Sequence, residues 1–113
     1  MNKLEVGMYV RTETGKIGKI TNFDGNMARI DTDKFITYKN FHNEIIKASH
    51  NIIDLIEEGD YVNGAVVVEI YKNKNGNVEY IDIGDLAINI NNKEIESIIT
   101  KEQFKSMEYR LGE

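Results

Sequence analysis

Apolar and polar residues alternate along this chain in short bursts, each too brief for a helix and of the right length for a strand. Met8-Tyr9-Val10 is the first burst, followed by Ile17-Gly18-Lys19-Ile20, Met27 to Ile30 and Phe35-Ile36-Thr37-Tyr38. Polar, glycine-containing stretches such as Thr12-Glu13-Thr14-Gly15 separate them. Asp24-Gly25 supplies the residue types of a two-residue type I′ hairpin turn, whose centres both need positive φ. The same succession then returns: Tyr61-Val62, Ala65 to Tyr71, the turn residues Asn75-Gly76, Val78 to Ile83, Leu86 to Ile90 and Ile95 to Ile99. Val66-Val67-Val68 with Ile70 is a β-branched run, favoured where a pleated strand is half buried.

The return is visible in the letters themselves. LEVGMYV at residues 4–10 reappears as IEEGDYV at 56–62, and Gly7-Met8-Tyr9-Val10 matches Gly59-Asp60-Tyr61-Val62 at an offset of 52. Asp24-Gly25-Asn26 pairs with Asn75-Gly76-Asn77 and Ile30-Asp31 with Ile81-Asp82 at 51, and Ile45-Ile46-Lys47 with Ile98-Ile99-Thr100 at 53. A near-constant offset marks a duplicated folding unit. Five short strands in about 50 residues suit a small barrel. The predicted fold is therefore mainly β: two tandem small SH3-like β-barrel units at 1–48 and 56–113, joined by a connecting segment at 49–55. Ile45, Ile46, Ile52, Ile53, Leu55 and Ile56 make that bridge too apolar for a free linker, so an interface between the units is expected. Thr100-Lys101-Glu102-Gln103 has capping-box spacing, which predicts one short C-terminal helical turn. A short strand Tyr109-Arg110-Leu111 is expected to follow it, with Phe104 and Leu111 plugging an open barrel end.

Gly-x-Tyr-Val followed by Gly15-Lys16-Ile17-Gly18-Lys19-Ile20 resembles the opening of KOW and related SH3-like modules. That resemblance implies strand, loop, strand, and a nucleic-acid, ribosomal or polymerase partner. The second unit departs from it, because Asn63-Gly64-Ala65-Val66 lacks the basic residue. Residues 45–64, together with Ile98-Ile99-Thr100-Lys101-Glu102-Gln103-Phe104, resemble small accessory proteins of phages and prophages from low-GC Gram-positive bacteria. Anti-CRISPR inhibitors occur among accessory genes of this kind, so the resemblance implies a mobile-element protein without assigning any residue a role.

Composition narrows the chemistry. The 113 residues include no cysteine, which removes disulfides, thiolate metal sites and thiol nucleophiles and fits a reducing compartment. No apolar run reaches the roughly 18 residues of a spanning helix, and no signal-peptide pattern opens the chain, so the host cytosol is the expected location. Residues 1–50 carry eight basic against six acidic side chains, +2, whereas residues 51–113 carry six against thirteen, −7. The acidic half repels phosphate and favours basic protein surfaces.

No catalytic constellation is evident, and no cofactor or metal is expected. His42 and His50 have no cysteine to complete a metal set, and Asp31-Thr32-Asp33 lacks the glycine and distal glutamate of a calcium loop. Thr14-Gly15-Lys16 opens a strand instead of the helix a phosphate loop needs, and Ser49, His50 and Asp54 are too close in sequence for a hydrolase triad. Binding is the expected activity. Glu57, Glu58, Asp60, Glu79, Asp82 and Asp85 form the leading candidate, an acidic surface that occludes a basic surface on a host protein, such as a CRISPR effector nuclease, and inhibits it. The alternative is a nucleic-acid-binding face on the first unit, where Tyr9, Arg11, Lys16, Lys19 and Arg29, with Lys34, Tyr38 and Lys39 nearby, combine backbone contacts with base stacking.

Overall fold

The computed structural model describes residues 3–84, 86 and 88–107. Among these residues ten strands form two five-stranded antiparallel sheets. The first sheet uses β1 (Tyr9–Thr12), β2 (Ile17–Asp24), β3 (Met27–Asp31), β4 (Ile36–Asn40) and β5 (Ile45–Ser49) in the order β4-β3-β2-β1-β5. The second uses β6 (Tyr61–Val62), β7 (Ala65–Lys72), β8 (Val78–Ile83), β9 (Ile88–Ile90) and β10 (Ile98–Ile99) in the order β10-β6-β7-β8-β9. In both, the fifth strand returns beside the first, the order of a small SH3-like barrel, so the predicted architecture of two small β units is the one observed.

The chain divides into Met1–Leu55 and Ile56–Glu113. Residues 49–55, read above as a connecting segment, are thus built into the first unit. Ser49 ends β5, and a 3₁₀ turn at Ile52–Leu55 follows, with Ile53 and Leu55 buried. The Arg11 guanidinium binds that turn, Nη1 donating to the Leu55 carbonyl at 3.0 Å. The core of this unit is Val10, Ile20, Ala28, Ile30 and Ile45, with Leu4, Met8, Phe23, Phe41 and Ala48 packed around it. In the second unit Val62, Val67, Ile81, Ile83 and Ile90 are the buried apolar strand residues.

The two units share a turn, bond for bond. Met8 N–H donates to Glu5 O at 3.2 Å and Asp60 N–H to Glu57 O at 3.1 Å. Gly7 and Gly59 then hold φ of 97° and 95°, a region that disfavours any side chain. Gly7 N–H donates to Ile20 O (2.9 Å) and Ile20 N–H to Met8 O (2.9 Å); Gly59 N–H donates to Val67 O (3.0 Å) and Val67 N–H to Asp60 O (2.7 Å). Ile20 and Val67 are therefore equivalent, and a register shift follows each.

From that anchor the ladders correct two letter matches. Ile20 faces Ile30 and Val67 faces Ile83, so Ile83, not Ile81, occupies the place of Ile30, and Asp82 occupies that of Arg29. Val10 faces Ala48 and Val62 faces Ile98, so Ile98 stands where Ala48 does, not where Ile45 does. The first hairpin also differs from expectation. Asp24 pairs with Met27, which makes Gly25-Asn26 the turn, and only Gly25 has positive φ, the II′ pattern.

The predicted capping box is present: Thr100 Oγ1 accepts from Gln103 N–H, and Gln103 Oε1 accepts from Thr100 N–H, at the start of α1 (Lys101–Ser106). Phe104 does not plug a barrel end but stacks on Tyr61 with centroids 4.8 Å apart and stays half exposed. Leu111 and the strand expected around it lie outside the described residues. Asp60 is fully buried and joins turn to helix, Oδ2 accepting from Glu57 N–H at 2.8 Å and Oδ1 from Lys101 N–H at 2.9 Å. Asp60→Ala leaves both donors unsatisfied and should cost about 2–4 kcal/mol in urea denaturation, whereas exposed Glu58→Ala should stay within about 0.5 kcal/mol.

Candidate functional site

Each sheet buries one face, and the opposite face is where exposed chemistry collects. Residues directly paired across antiparallel strands share a face. In the first unit one row runs Tyr9, Lys19, Asp31, Ile36 and the next runs Asn22, Arg29, Tyr38. Alternation puts both rows opposite the buried Val10, Ile20, Ala28 and Ile30. Three of the predicted nucleic-acid residues, Tyr9, Lys19 and Arg29, are thereby brought onto one surface, and Tyr38 joins them.

The face combines cations with open rings. Lys19 Nζ lies over the Tyr9 ring, 5.3 Å from its centroid. Tyr38 is 54% exposed and Ile36 50%. Arg29 Nε contacts Asp31 Oδ1 at 3.3 Å, and Thr21 donates to the same oxygen at 3.1 Å, which orients the guanidinium without burying it. Such an exposed pair has little energetic weight and opens readily to a competing anion.

Two predicted residues are elsewhere. Arg11 is fully buried beneath the 3₁₀ turn and serves the fold. Lys16 precedes β2 and lies over the Phe35 ring at 4.8 Å, beside the turn between β3 and β4.

In the second unit the predicted acidic surface is dispersed. Asp60 is a buried cap. Glu57 is half buried and bound to Lys101, Oε1 to Nζ at 2.8 Å, a contact that raises the lysine pKa above its ordinary value against the opposing effect of burial. Glu58 and Glu79 are exposed. Asp82 is only 6% exposed, and Asp85 lies outside the described residues.

A different group forms on the outer face of β7–β9. Glu69 pairs with Asp82 and Asp82 with Asn89, while Tyr71 pairs with Tyr80. The two rings stack with centroids 4.5 Å apart and 23° between planes, and the Tyr71 hydroxyl donates to Glu69 Oε2 at 2.8 Å. The tyrosines were missed in the sequence, although they sit symmetrically about Asn75-Gly76 and a hairpin closed there must pair them.

The other motifs resolve into local structure. Ser49 Oγ donates to Asp54 Oδ2 at 2.7 Å, while His50 Nε2 turns to Glu5 Oε1 at 3.1 Å, so the three residue types of a hydrolase do not converge. Thr32 caps its own turn, accepting from Phe35 N–H and donating to Phe35 O. Among the described residues no group of three or more His, Cys, Asp or Glu could hold a metal ion, and no helix is long and apolar enough to cross a membrane. No protein-family model matches the chain, and neither a curated protein nor a solved structure is found similar to it.

Tyr71 offers a spectroscopic test of the second face. Its hydrogen bond to Glu69, then burial and the Asp82 carboxylate, push the phenol pKa up from 10.0. The neutral phenol is the form the fold favours, so its stabilisation is complete below about pH 10 and fades as pH rises further. Titration at about 295 nm should show one of the six tyrosines ionising after the others, with the late phase absent in Tyr71→Phe; a single phase in both would contradict the geometry.

Proposed function

We propose that the chain is a non-enzymatic binding protein whose first unit holds single-stranded nucleic acid on the outer face of β2–β4. One observation carries this reading: Tyr9, Lys19, Arg29 and Tyr38 share a single exposed sheet face. Cationic side chains neutralise the phosphate backbone, and an exposed ring gives a base a surface to stack on, a sequence-tolerant interaction worth about 1–3 kcal/mol per base. The face is small and carries Asp31 as well, which suits a weak, salt-sensitive ligand over a long duplex. The KOW-like opening, Gly7 to Val10 and Gly15 to Ile20, supports the same reading, since β1 and β2 are the strands that present Tyr9 and Lys19.

A second reading is an inhibitor carried by a phage or mobile element that covers a basic surface on a host defence protein, such as a CRISPR nuclease. It is favoured by the −7 charge of residues 51–113 and by Glu69 and Asp82 facing each other with no cation paired to them among the described residues. The surface that would carry it is the outer face of β7–β9, with exposed Glu58 and Glu79 contributing long-range attraction that speeds encounter.

Fluorescence anisotropy with labelled oligo(dT) and oligo(U) tests the first reading. Affinity should fall with salt at a logarithmic slope of about −0.7 per neutralised phosphate. Lys19→Glu and Arg29→Glu should abolish binding, and Tyr38→Ala should weaken it by about 1–3 kcal/mol. Lys16→Glu should matter less than Lys19→Glu, and Lys93→Glu not at all. Absence of binding at low ionic strength would overturn the proposal.

A further inference from the structure

The register shift between Val67 and Glu69 places the Glu69 carboxylate directly opposite Asp82 on the neighbouring strand. Like charges in that position repel, and folded sheets normally avoid them. Among the described residues no lysine or arginine is paired with either one. Asp82 is 94% buried by its 6% exposure, and its Oδ1 accepts no hydrogen bond. A buried carboxylate oxygen left without a donor is costly, and its persistence calls for a role. Immediately beside the pair, Tyr71 and Tyr80 stack, with the Tyr71 hydroxyl donating to Glu69 Oε2. Asn89 continues the row on β9, exposed.

The equivalent row of the first unit is Asn22, Arg29, Tyr38. One position in a duplicated frame therefore carries a cation in one copy and an unsatisfied anion in the other. We infer that the outer face of β7–β9 receives a guanidinium side chain from a protein partner, held by Glu69 and Asp82 and stacked against the Tyr71–Tyr80 pair. This inference rests on the second reading above, a partner with a basic surface, and names the group that is recognised.

Guanidinium fits where other cations do not. Its planar fork carries five donors, enough for both carboxylates at once, and its flat face stacks on a tyrosine ring. An ammonium is a point charge with no stacking plane. A calcium ion needs six to eight oxygen ligands, and two carboxylates on one sheet face supply too few. Exposed Glu69 is the first contact. The Tyr71 hydroxyl offers Glu69 a single O–H, and an arriving guanidinium supplies several donors in its place, leaving one for Asp82 Oδ1.

The test uses the full chain with acetylated hexa-arginine and hexa-lysine peptides, followed by NMR. The arginine peptide should bind at least about tenfold more tightly than the lysine peptide and shift the Tyr71, Tyr80 and Asp82 signals. Glu69→Gln, Asp82→Asn and Tyr80→Leu should each weaken arginine binding by about tenfold, while Glu96→Gln leaves it unchanged. Glu69 and Glu96 are exposed, so their variants remain informative if Asp82→Asn perturbs folding. Equal binding of both peptides, insensitive to Glu69→Gln, would overturn this site and leave a diffuse acidic attraction. Failure of both peptides to bind at low ionic strength would overturn the site and the basic-partner reading together.

Discussion

In each unit a glycine at the first turn, Gly7 or Gly59, sends its N–H across to the second strand and receives the chain back through the next residue's carbonyl. That reciprocal pair fixes the register of the first strand on the second. It also sets where the second strand must turn, because the register shift follows immediately, after Ile20 in one unit and after Val67 in the other. Up to the anchor the strand serves the first strand; beyond it the strand runs with the third. The residue just past the shift, Asn22 or Glu69, is thereby delivered to the middle of the outer face. The location of both candidate sites depends on this one turn, and the turn depends on a backbone conformation that glycine adopts without strain.

Units of this size bury little more than one side of a five-stranded sheet, so the other side is left to solvent and to partners. Duplication then gives two copies of the same face, open at Tyr38 in the first unit and closed over Asp82 in the second. The frame keeps its apolar row, Val10, Ile20 and Ile30 against Val62, Val67 and Ile83, since any loss there opens a small core. The opposite face carries no such constraint. Its central row reads Asn22, Arg29, Tyr38 in one unit and Glu69, Asp82, Asn89 in the other, side chains of opposite charge at equivalent places.

The strands, the repeat and the capping box at Thr100 were legible in the sequence because each rests on local chemistry: alternation, turn residues and a hydroxyl at fixed spacing from Gln103. Burial of charge was not. Asp60 looks like one more carboxylate in an acidic stretch, yet it sits at the position of Met8, and only the fold reveals that its oxygens close a turn onto a helix. Arg11 misleads in the same way, since its carbonyl partner is 44 residues further on. The match of Ile30-Asp31 with Ile81-Asp82 is true of the letters and false of the ladder, because the second hairpin carries a longer loop, Asn73 to Asn77, that displaces the register. That displacement is why Asp82 could not be recognised as the counterpart of Arg29.

On the proposed reading the open face of β2–β4, and not the charged surface at large, is where the first unit meets nucleic acid. Backbone amide mapping of the full chain during titration with oligo(dT) tests it most directly. Shifts should concentrate at Lys19, Asn22, Arg29, Ile36 and Tyr38, with the second unit silent. Shifts spread over both units, or centred on Lys72, Lys74 and Lys93, would contradict it.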